Sequence, residues 1–341
     1  TQEAVQAFAA ENSENGPMRI GRWLAREITL RKRIAGMLNA ASGDDIALLK
    51  NTTEGICLVA NGLDWQNGDN IVTPKGEFIS NRLPWDALAS KGVEVRTVEI
   101  NQVEFPERDL AAAMDERTRL LTVSSVQWDT GFRLDLDALG NACAERGVFF
   151  FVDAIQQFGA HRIDVHRSRI NALCASAHKW QMGPEGIALF YCDEPTRHGL
   201  GLSQVGWKTL EDPFHYDRPG RQPADSARRF EAGSPNTLGQ VALDASLGML
   251  AEVGQADIER RIQENTARLV DDITGIPGLT LKSSGDPRRF SGIVSLEPEG
   301  MDAESMRQAL SKLRCFVGCL LYTSPSPRDF SCNLVCRLLL E

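Results

Sequence analysis

A lysine that follows an apolar run is the first residue of this sequence whose setting suggests covalent chemistry. Residues 172–175 are apolar, and Ser176, His178 and Lys179 come directly after them, before a Gly-Pro-Glu-Gly segment at 183–186. A solvated surface lysine is the ordinary interpretation of Lys179. A desolvated lysine, in contrast, loses its charge more readily and can attack a carbonyl carbon to form a Schiff base.

A carboxylate ends a second apolar run. Asp153 follows Phe-Phe-Phe-Val at 149–152. Ligands bind at the carboxyl ends of the strands in a parallel sheet, so the Asp153 side chain is predicted to project into a ligand crevice. The same residue is equally explained as the cap of a following helix, and the residues alone leave both interpretations open.

A third segment has the features of an anion site. Residues 46–50 resemble a strand and lead into Asn51, Thr52 and Thr53, after which a helix-like segment begins. This arrangement places two hydroxyls and free backbone N–H groups at a helix N-terminus, where a phosphate fits. An ordinary helix cap explains the same residues, and the sequence carries neither a P-loop nor a dinucleotide-binding glycine signature.

An alternation of strands and helices is needed to bring these segments together. From residue 46 onward, short β-rich runs alternate with helix-like segments, and several runs are apolar throughout. Such runs are typical of strands that helices cover on both faces of a mainly parallel sheet. The predicted strands are 46–49, 71–73, 93–100, 119–126, 148–152, 172–176, 186–191, 279–281 and 292–296. The predicted helices are 106–116, 135–146, 239–253, 257–273 and 303–313.

The composition excludes several classes of protein. The 341 residues include 37 basic and 46 acidic side chains, which gives a net charge of −9. An acidic chain lacks the concentrated positive surface that binding to nucleic acid requires. No apolar run approaches the ~20 residues that span a bilayer, so we expect no contact with a membrane. Eight scattered cysteines are more typical of reduced thiols in a cytoplasm than of a disulfide scaffold.

The C-terminal residues are predicted to be foreign to the natural chain. Cys315, Cys319, Cys332 and Cys336 have a spacing that suggests a zinc site, but we expect no metal there. Residues 319–341 can be back-translated in one frame into two stretches that resemble a transposase adapter used for sequencing libraries. We therefore expect this tail to contribute neither fold nor function, and the native sequence to be cut just before it.

Four motifs occur in an order that resembles one enzyme family. They are Thr-Thr-Glu-Gly at 52–55, Val-Asp-x-x-Gln at 152–156, Ser-x-His-Lys at 176–179 with Gly-Pro-x-Gly at 183–186, and Arg-Phe-Glu-Ala-Gly-Ser-Pro-Asn at 229–236. Together they resemble the class V aminotransferase family of pyridoxal-phosphate (PLP) enzymes. That family includes cysteine desulfurases, selenocysteine lyases, kynureninases and isopenicillin-N-epimerase-like proteins. The resemblance implies an α/β protein with the PLP-dependent transferase fold (fold type I).

The resemblance also implies a role for each matching residue around the cofactor, pyridoxal 5'-phosphate. Lys179 would form the internal aldimine and later move the Cα proton of an amino-acid substrate. Asp153 would keep the pyridine nitrogen protonated, so that the ring accepts the electron pair left when a Cα bond breaks. The other implied contacts are Thr52, Thr53, Ser176 and His178 with the phosphate, Gln156 with the ring hydroxyl, Phe78 stacked on the ring, and Ser125 where many relatives have Asn.

A homodimer with shared active sites is implied as well. Gly233 and Ser234 match the motif that relatives contribute to the phosphate site of the neighbouring subunit. The resemblance further suggests an N-terminal arm at 1–25, a PLP-binding large domain at 26–255 and a truncated small α+β domain at 256–318, before the tail at 319–341. We expect a cytoplasmic enzyme.

The type of reaction is the least constrained expectation. Desulfurases place histidine in the segment that supplies the ring-stacking residue, whereas this chain has Phe78 there. Phe78 and residues 126–135 look more like the epimerase-like and kynureninase-like branch, which is therefore the favoured prediction. The alternative is a cysteine desulfurase or selenocysteine lyase, and a catalytically silent member that only binds ligands is an alternative of another class.

Overall fold

A seven-stranded sheet forms the centre of the molecule, in the order β1-β7-β6-β5-β4-β2-β3. The structure is a computed structural model, and it describes residues 1–101, 103–215, 217, 221–315 and 317. The strands are β1 (Ile46–Leu49), β2 (Asn70–Pro74), β3 (Glu94–Val98), β4 (Thr118–Ser124), β5 (Phe149–Asp153), β6 (Ala172–Ser176), β7 (Ala188–Cys192), β8 (Leu279–Leu281) and β9 (Leu296–Pro298). The helices are α1 (Gln2–Asn15), α2 (Ile20–Leu38), α3 (Thr52–Gly62), α4 (Leu83–Asp86), α5 (Pro106–Ala112), α6 (Leu136–Arg146), α7 (Glu194–Gly199), α8 (Thr237–Val253), α9 (Gln255–Thr274) and α10 (Ala303–Lys312).

The sheet is mainly parallel, as predicted. Strands β3, β2, β4, β5 and β6 pair in parallel, and β7 runs antiparallel to both β6 and β1. Every residue of β1, β2, β6 and β7 is buried, which explains why most residues of these runs are apolar. The predicted α/β class is therefore confirmed.

The two faces of the sheet are covered by different helices. Successive side chains of β5 point to opposite faces, so Phe150 packs in one apolar cluster and Phe151 in the other. The first cluster includes residues of α2, α6 and α8, and the second includes residues of α3 together with Trp85. The Trp85 ring meets the Phe151 ring edge-on at 5.9 Å. Helices on both faces thus bury the sheet and leave its strand ends to form a site.

Helix α6 illustrates how local sequence sets the length of a crossover. Asp135 caps the helix by accepting a hydrogen bond from the N–H of Ala138. The helix ends at Gly147, whose φ of 66° is in the left-handed region that glycine adopts without a steric penalty. The chain then enters β5, which ends at the candidate residue Asp153.

The predicted strand at 292–296 is wrong for most of its length. Strand β9 begins only at Leu296 and pairs antiparallel with β8. The hydroxyl of Ser291 instead donates to the carbonyl oxygen of Gly131, at 2.7 Å, and Ile293 is buried. Ile293 is apolar because it packs in the same cluster as residues of α2, α6 and α8, and the contacts of this segment are not those of a strand.

The described residues contain no helix that is both long enough and apolar enough to cross a membrane. They also contain no group of three or more His, Cys, Asp or Glu side chains arranged to hold a metal ion. Cys315 is exposed, whereas Cys319, Cys332 and Cys336 lie outside the described residues together with the rest of the predicted tail.

Candidate active site

The carboxyl ends of three neighbouring strands bring several candidate residues to one edge of the sheet. Strands β4, β5 and β6 end at Ser124, Asp153 and Ser176, and they are hydrogen-bonded neighbours in parallel. The N–H of Ser125 donates to the carbonyl oxygen of Asp153 at 2.9 Å. Because parallel strands end on the same side, residues far apart in sequence meet here, as the strand pattern predicted.

Asp153 is a buried carboxyl in this edge. Its Oδ1 atom accepts a hydrogen bond from the N–H of Ile155 at 3.0 Å. Burial raises the pKa of Asp153 to about 7, the nearby Glu77 carboxyl adds to this effect, and the Ile155 N–H opposes it. No helix begins directly after Asp153, since turns occupy residues 155–157, so the interpretation as a helix cap is wrong. A cation at this carboxyl would favour its charged form.

Thr52 and Ser176 form a reciprocal pair at the N-terminus of α3. The N–H of Thr52 donates to the Ser176 hydroxyl at 2.8 Å, and the N–H of Ser176 donates to the Thr52 hydroxyl at 3.0 Å. The two hydroxyls are 3.0 Å apart, so one hydroxyl hydrogen serves their mutual bond and the other stays available for an anion. Thr53 follows in the first turn of α3, and the Asn51 side chain caps the helix by accepting from the N–H of Glu54.

The helix N-terminus reaches this position because residue 55 has no side chain. A Cβ atom on Gly55 would lie 2.5 Å from the Sγ atom of Cys174, in the adjacent strand β6. The close approach puts the first turn of α3 directly against the end of β6, next to Ser176. The positive end of the helix dipole therefore lies at the same edge of the sheet as Asp153.

Lys179 is buried in a rigid turn after β6, whereas His178 is half-buried. The carbonyl oxygen of Lys179 accepts from the N–H of Met182 at 3.0 Å. The side chain of Gln181 donates to the carbonyl oxygen of Ser176 at 2.8 Å and so ties the turn to the end of the strand. Lys179 thus meets the condition of desolvation that the Schiff-base hypothesis required.

Gln156 is linked to the lysine turn. Its Oε1 atom accepts a hydrogen bond from the indole N–H of Trp180 at 3.1 Å, and both residues are buried. Gln156 follows Asp153 by three residues, and Trp180 follows Lys179 directly. This bond therefore joins the segment after β5 to the turn after β6.

Phe78 lies in the loop between β2 and α4, and this loop passes the end of β4. Its ring meets the Trp128 ring edge-on at 5.8 Å, and the indole N–H of Trp128 donates to the carbonyl oxygen of Gly76 at 3.0 Å. The preceding residue, Glu77, accepts a hydrogen bond from the N–H of Ser124 at 2.6 Å. The loop that carries Phe78 is thus attached to the strand next to Asp153.

Gly233 and Ser234 are not joined to the other candidate residues by any hydrogen bond within the described part of the chain. Both are exposed, just before α8. The cap of that helix, Asn236, donates from its side-chain amide to the carbonyl oxygen of Gly186 at 3.0 Å. The expectation that Gly233 and Ser234 serve a neighbouring subunit stays a prediction.

Sequence reasoning missed Glu77. Its carboxyl is buried and close enough to Asp153 to raise the pKa of that residue. The signal was present, because Glu77 comes soon after the apolar strand β2, at the same edge of the sheet as Asp153. A carboxylate that closely follows a buried strand is the pattern that also predicted Asp153, but the hydrogen-bond partners of Glu77 are not visible in the sequence.

Comparison with known proteins assigns this arrangement to a family. The family model described as aminotransferase class-V matches residues 22–317. A probable cysteine desulfurase from Methanothermobacter thermautotrophicus is 32% identical over 284 residues, which are 83% of this chain and 69% of the relative. The structure of a cysteine desulfurase from Thermococcus onnurineus NA1 superposes with a TM-score of 0.78 at 27% identity, over 87% of this chain and 74% of the other.

A third relative is similar in fold. The cystine C–S lyase C-DES, in complex with its product cysteine persulfide, has a TM-score of 0.85 at 23% identity, over 99% of this chain and 93% of the other. In another structure of C-DES, glycine is covalently linked to the PLP cofactor. At this level of identity the likeness shows the fold alone, which is the predicted fold type I.

The relatives correct one expectation. They do not support the epimerase-like or kynureninase-like branch that Phe78 favoured, and the desulfurase alternative fits them better. A single aromatic residue such as Phe78 is weaker evidence of the reaction than a likeness spread over most of the chain.

Proposed function

The chain belongs to the class-V aminotransferase family, and on that premise we propose that it removes sulfur from cysteine, as a cysteine desulfurase does. Members of this family are PLP-dependent enzymes, so the cofactor follows from the family. The observation that carries the choice of reaction is the likeness, over most of the chain, to a probable cysteine desulfurase. Selenocysteine, which differs from cysteine in one atom, is the substrate of the second candidate reaction.

The residues at the sheet edge fit PLP. The hydroxyls of Thr52 and Ser176, the first turn of α3 and His178 would hold the phosphate, because one hydroxyl hydrogen is available there beside the positive end of the α3 dipole. Asp153 would hold the proton on the pyridine nitrogen, and that cation would in turn stabilise the buried carboxylate. Bound PLP supplies an electron-accepting ring.

Lys179 is the proposed attachment point of the cofactor and the base that moves the substrate Cα proton. Burial suits both tasks, since it shields the amine from water and holds it beside the ligand crevice. Gln156, held by Trp180, is proposed to contact the ring hydroxyl, and Ser125 lies next to Asp153. Phe78 carries no ionisable group, so its proposed contribution is packing against the ring.

The sulfur acceptor is constrained by the thiols that the structure describes. Cys143, Cys174 and Cys192 are buried, and burial raises the pKa of each thiol. Burial and Glu54 also raise the pKa of Cys57. Thiolates are the reactive form, so these four residues are poor acceptors of sulfur. Cys315 is the one exposed thiol among the described residues.

The proposal is tested by product analysis with L-cysteine, PLP and dithiothreitol, which supplies the two electrons that release sulfide and leave alanine. We expect alanine and sulfide in equal amounts, and neither product with Lys179→Ala. The matched control is Lys91→Ala, which removes an exposed lysine and should keep full activity. Pyruvate and ammonia in place of alanine would show a lyase instead, and inversion at Cα without sulfide would restore the epimerase hypothesis.

The assembly and the location are proposed as well. We expect a homodimer in which Gly233 and Ser234 approach the phosphate site of the neighbouring subunit, since both residues are exposed beside α8. A cytoplasmic location remains a prediction from the cysteine content.

A further inference from the structure

Glu77 has a buried carboxyl group, and none of the proposed PLP contacts involves it. Both of its oxygens accept hydrogen bonds from the end of β4. The N–H of Ser124 donates to Oε1 at 2.6 Å, and the Ser124 hydroxyl donates to Oε2. The side-chain amide of Gln127 donates to Oε1 at 3.3 Å. One side chain in the β2–α4 loop thus holds three donors of the neighbouring strand end.

Two more contacts connect the same loop and strand on either side of Glu77. The indole N–H of Trp128 donates to the carbonyl oxygen of Gly76, and the hydroxyl of Thr122 donates to Oδ1 of Asn81 at 2.9 Å. Phe78 lies between these attachment points in the sequence. Its backbone is therefore fixed relative to β4 by contacts that begin two residues before it and end three residues after it.

The end of β4 is itself joined to Asp153. Ser124 pairs with Asp153 in the parallel register of β4 and β5, and the N–H of Ser125 donates to the Asp153 carbonyl oxygen. A continuous chain of hydrogen bonds therefore leads from Glu77 through the end of β4 to Asp153. It joins the loop that carries Phe78 to the backbone of Asp153, the residue proposed to pair with the pyridine nitrogen.

Stability alone is a weak explanation for a carboxyl at this position. Burial raises the pKa of Glu77, although the Ser124 and Gln127 hydrogen bonds oppose the shift, and a second buried carboxyl lies nearby. Two acidic groups in one apolar region repel each other when both are charged and cost solvation energy. Apolar side chains packed between the loop and the strand would connect them without that cost.

We propose that Glu77 is a positioning residue for the PLP ring, which acts by fixing the loop that carries Phe78 to the end of β4 beside Asp153. The inference rests on the proposed PLP site and adds a residue that holds two of its parts in register. A glutamine at this position keeps one acceptor oxygen, but its amide N–H₂ cannot accept the bond that the Ser124 hydroxyl donates to Oε2, so that hydroxyl must turn and accept instead. The loop should then be held less firmly to the strand while the fold persists.

The test compares Glu77→Gln with Glu99→Gln in the full chain. Glu99 lies just after β3, is half exposed, and forms an ion pair with Lys75 at 3.2 Å, so its replacement keeps the buried network intact. Three properties are measured: the rate of PLP loss during dilution, the visible circular dichroism of bound PLP at saturation, and the melting temperature of the cofactor-free protein. We expect Glu77→Gln to lose PLP about tenfold faster, equivalent to about 1.4 kcal/mol, with an altered circular dichroism. Glu99→Gln should match the original protein.

Ser124→Ala is a second, milder test of the same link, because it removes only the hydroxyl donor to Glu77. We expect a smaller change of the same sign, and we expect the double variant to lose PLP no faster than Glu77→Gln alone. Unchanged PLP loss and circular dichroism in both variants would overturn the inference. So would a lower melting temperature of the cofactor-free protein without any change in the spectrum of bound PLP. If the original chain binds no PLP at all, the cofactor site itself is wrong and the inference fails with it.

Discussion

At the scale of single residues, the site depends on carboxyl groups placed where water does not reach. Asp153 is almost completely buried, and its pKa is raised to about 7 from a reference value of 3.8. An ionised carboxylate at such a place destabilises the cofactor-free protein, whereas it stabilises a cation that binds beside it. Functional sites commonly contain such residues, because ligand binding offsets the unfavourable free energy of their burial.

The first prediction concerns the stability of the cofactor-free protein as a function of pH. The folded state raises the pKa of Asp153, so it favours the protonated form, and the stability that this residue contributes is lost as the pH rises from about 4 to about 7. Asp153→Asn cannot ionise and should be more stable than the original at about pH 8, by roughly a few kcal/mol. Thermal melts at a series of pH values check this, and the difference should shrink toward about pH 4. A constant difference over the whole range would contradict it.

The same substitution should have the opposite effect on catalysis. Without the carboxylate the pyridine nitrogen loses its proton, and the ring accepts electrons less well. We expect Asp153→Asn to retain covalently attached PLP but to release sulfide at least about a hundredfold more slowly. Sulfide release at a near-normal rate by a variant saturated with PLP would disprove the role of Asp153.

At the scale of elements, the position of α3 decides whether a phosphate can bind. The helix begins at the Asn51 cap and packs against β6, where Gly55 leaves room for Cys174. Sequence alone predicted the helix N-terminus and its hydroxyls, since caps are local signals. The contact between Gly55 and Cys174 joins residues 119 positions apart, and no local pattern contains it.

A pair of glycine substitutions tests this packing. Gly55→Ala should destabilise the protein by about 1–3 kcal/mol and weaken PLP retention, because the new methyl group collides with Cys174. Gly36→Ala is the matched control, since Gly36 lies within α2 with open space around it. That change should stabilise by about 0.5–1 kcal/mol, as is usual for helices. Chemical denaturation measures both, and equal effects of the two changes would show that α3 is not closely packed on β6.

Other elements show where sequence patterns fail. Their apolar composition predicted β5 and β6 well, because strands that are buried on both faces consist mostly of apolar residues. The same reasoning failed at 292–296, where Ile293 is apolar because it packs on the sheet domain. An apolar run in a sequence indicates burial, but it does not show which element of the fold covers the run.

At the scale of the whole molecule, a buried cluster of charges connects distant parts of the chain. The cluster consists of Glu27 and Arg31 of α2, Lys208, and Glu231. Lys208 Nζ lies 2.9 Å from Glu27 Oε1 and 2.8 Å from Glu231 Oε2, and Arg31 binds both carboxylates. Glu231 also accepts the N–H of Leu48, in β1. An N-terminal helix, the sheet and the segment that leads to Gly233 are thereby held together.

Removal of one charge from this cluster should strongly destabilise the folded protein. Glu231→Gln leaves Arg31 and Lys208 buried with too few carboxylates, and we expect the free energy of unfolding to fall by about 3 kcal/mol. Glu264→Gln is the matched control, because Glu264 forms an exposed ion pair with Arg260 and its loss should cost less than about 0.5 kcal/mol. Urea denaturation of the two variants provides the comparison, and a similar small loss in both would mean that the cluster does not unite these parts.

The family and the fold of the whole molecule could be predicted from the sequence, but the reaction could not. Ser-x-His-Lys and Val-Asp-x-x-Gln are short motifs, and their order in the chain was enough to predict the family and the fold. The reaction was harder to predict, because a single residue such as Phe78 can differ between relatives that share a chemistry. Glu77 was missed because its partners, Ser124 and Gln127, are close to it only in the folded chain.

The most direct test of the account is the identity of the residue that binds PLP covalently. Purified protein is saturated with PLP, freed of excess cofactor, reduced with borohydride and digested, and the labelled peptide is sequenced by mass spectrometry. The account predicts one label per chain, on Lys179, and none in Lys179→Ala, while Lys91→Ala is labelled as the original. A stoichiometric label on another lysine, or covalent PLP that survives in Lys179→Ala, would contradict the assignment of the site.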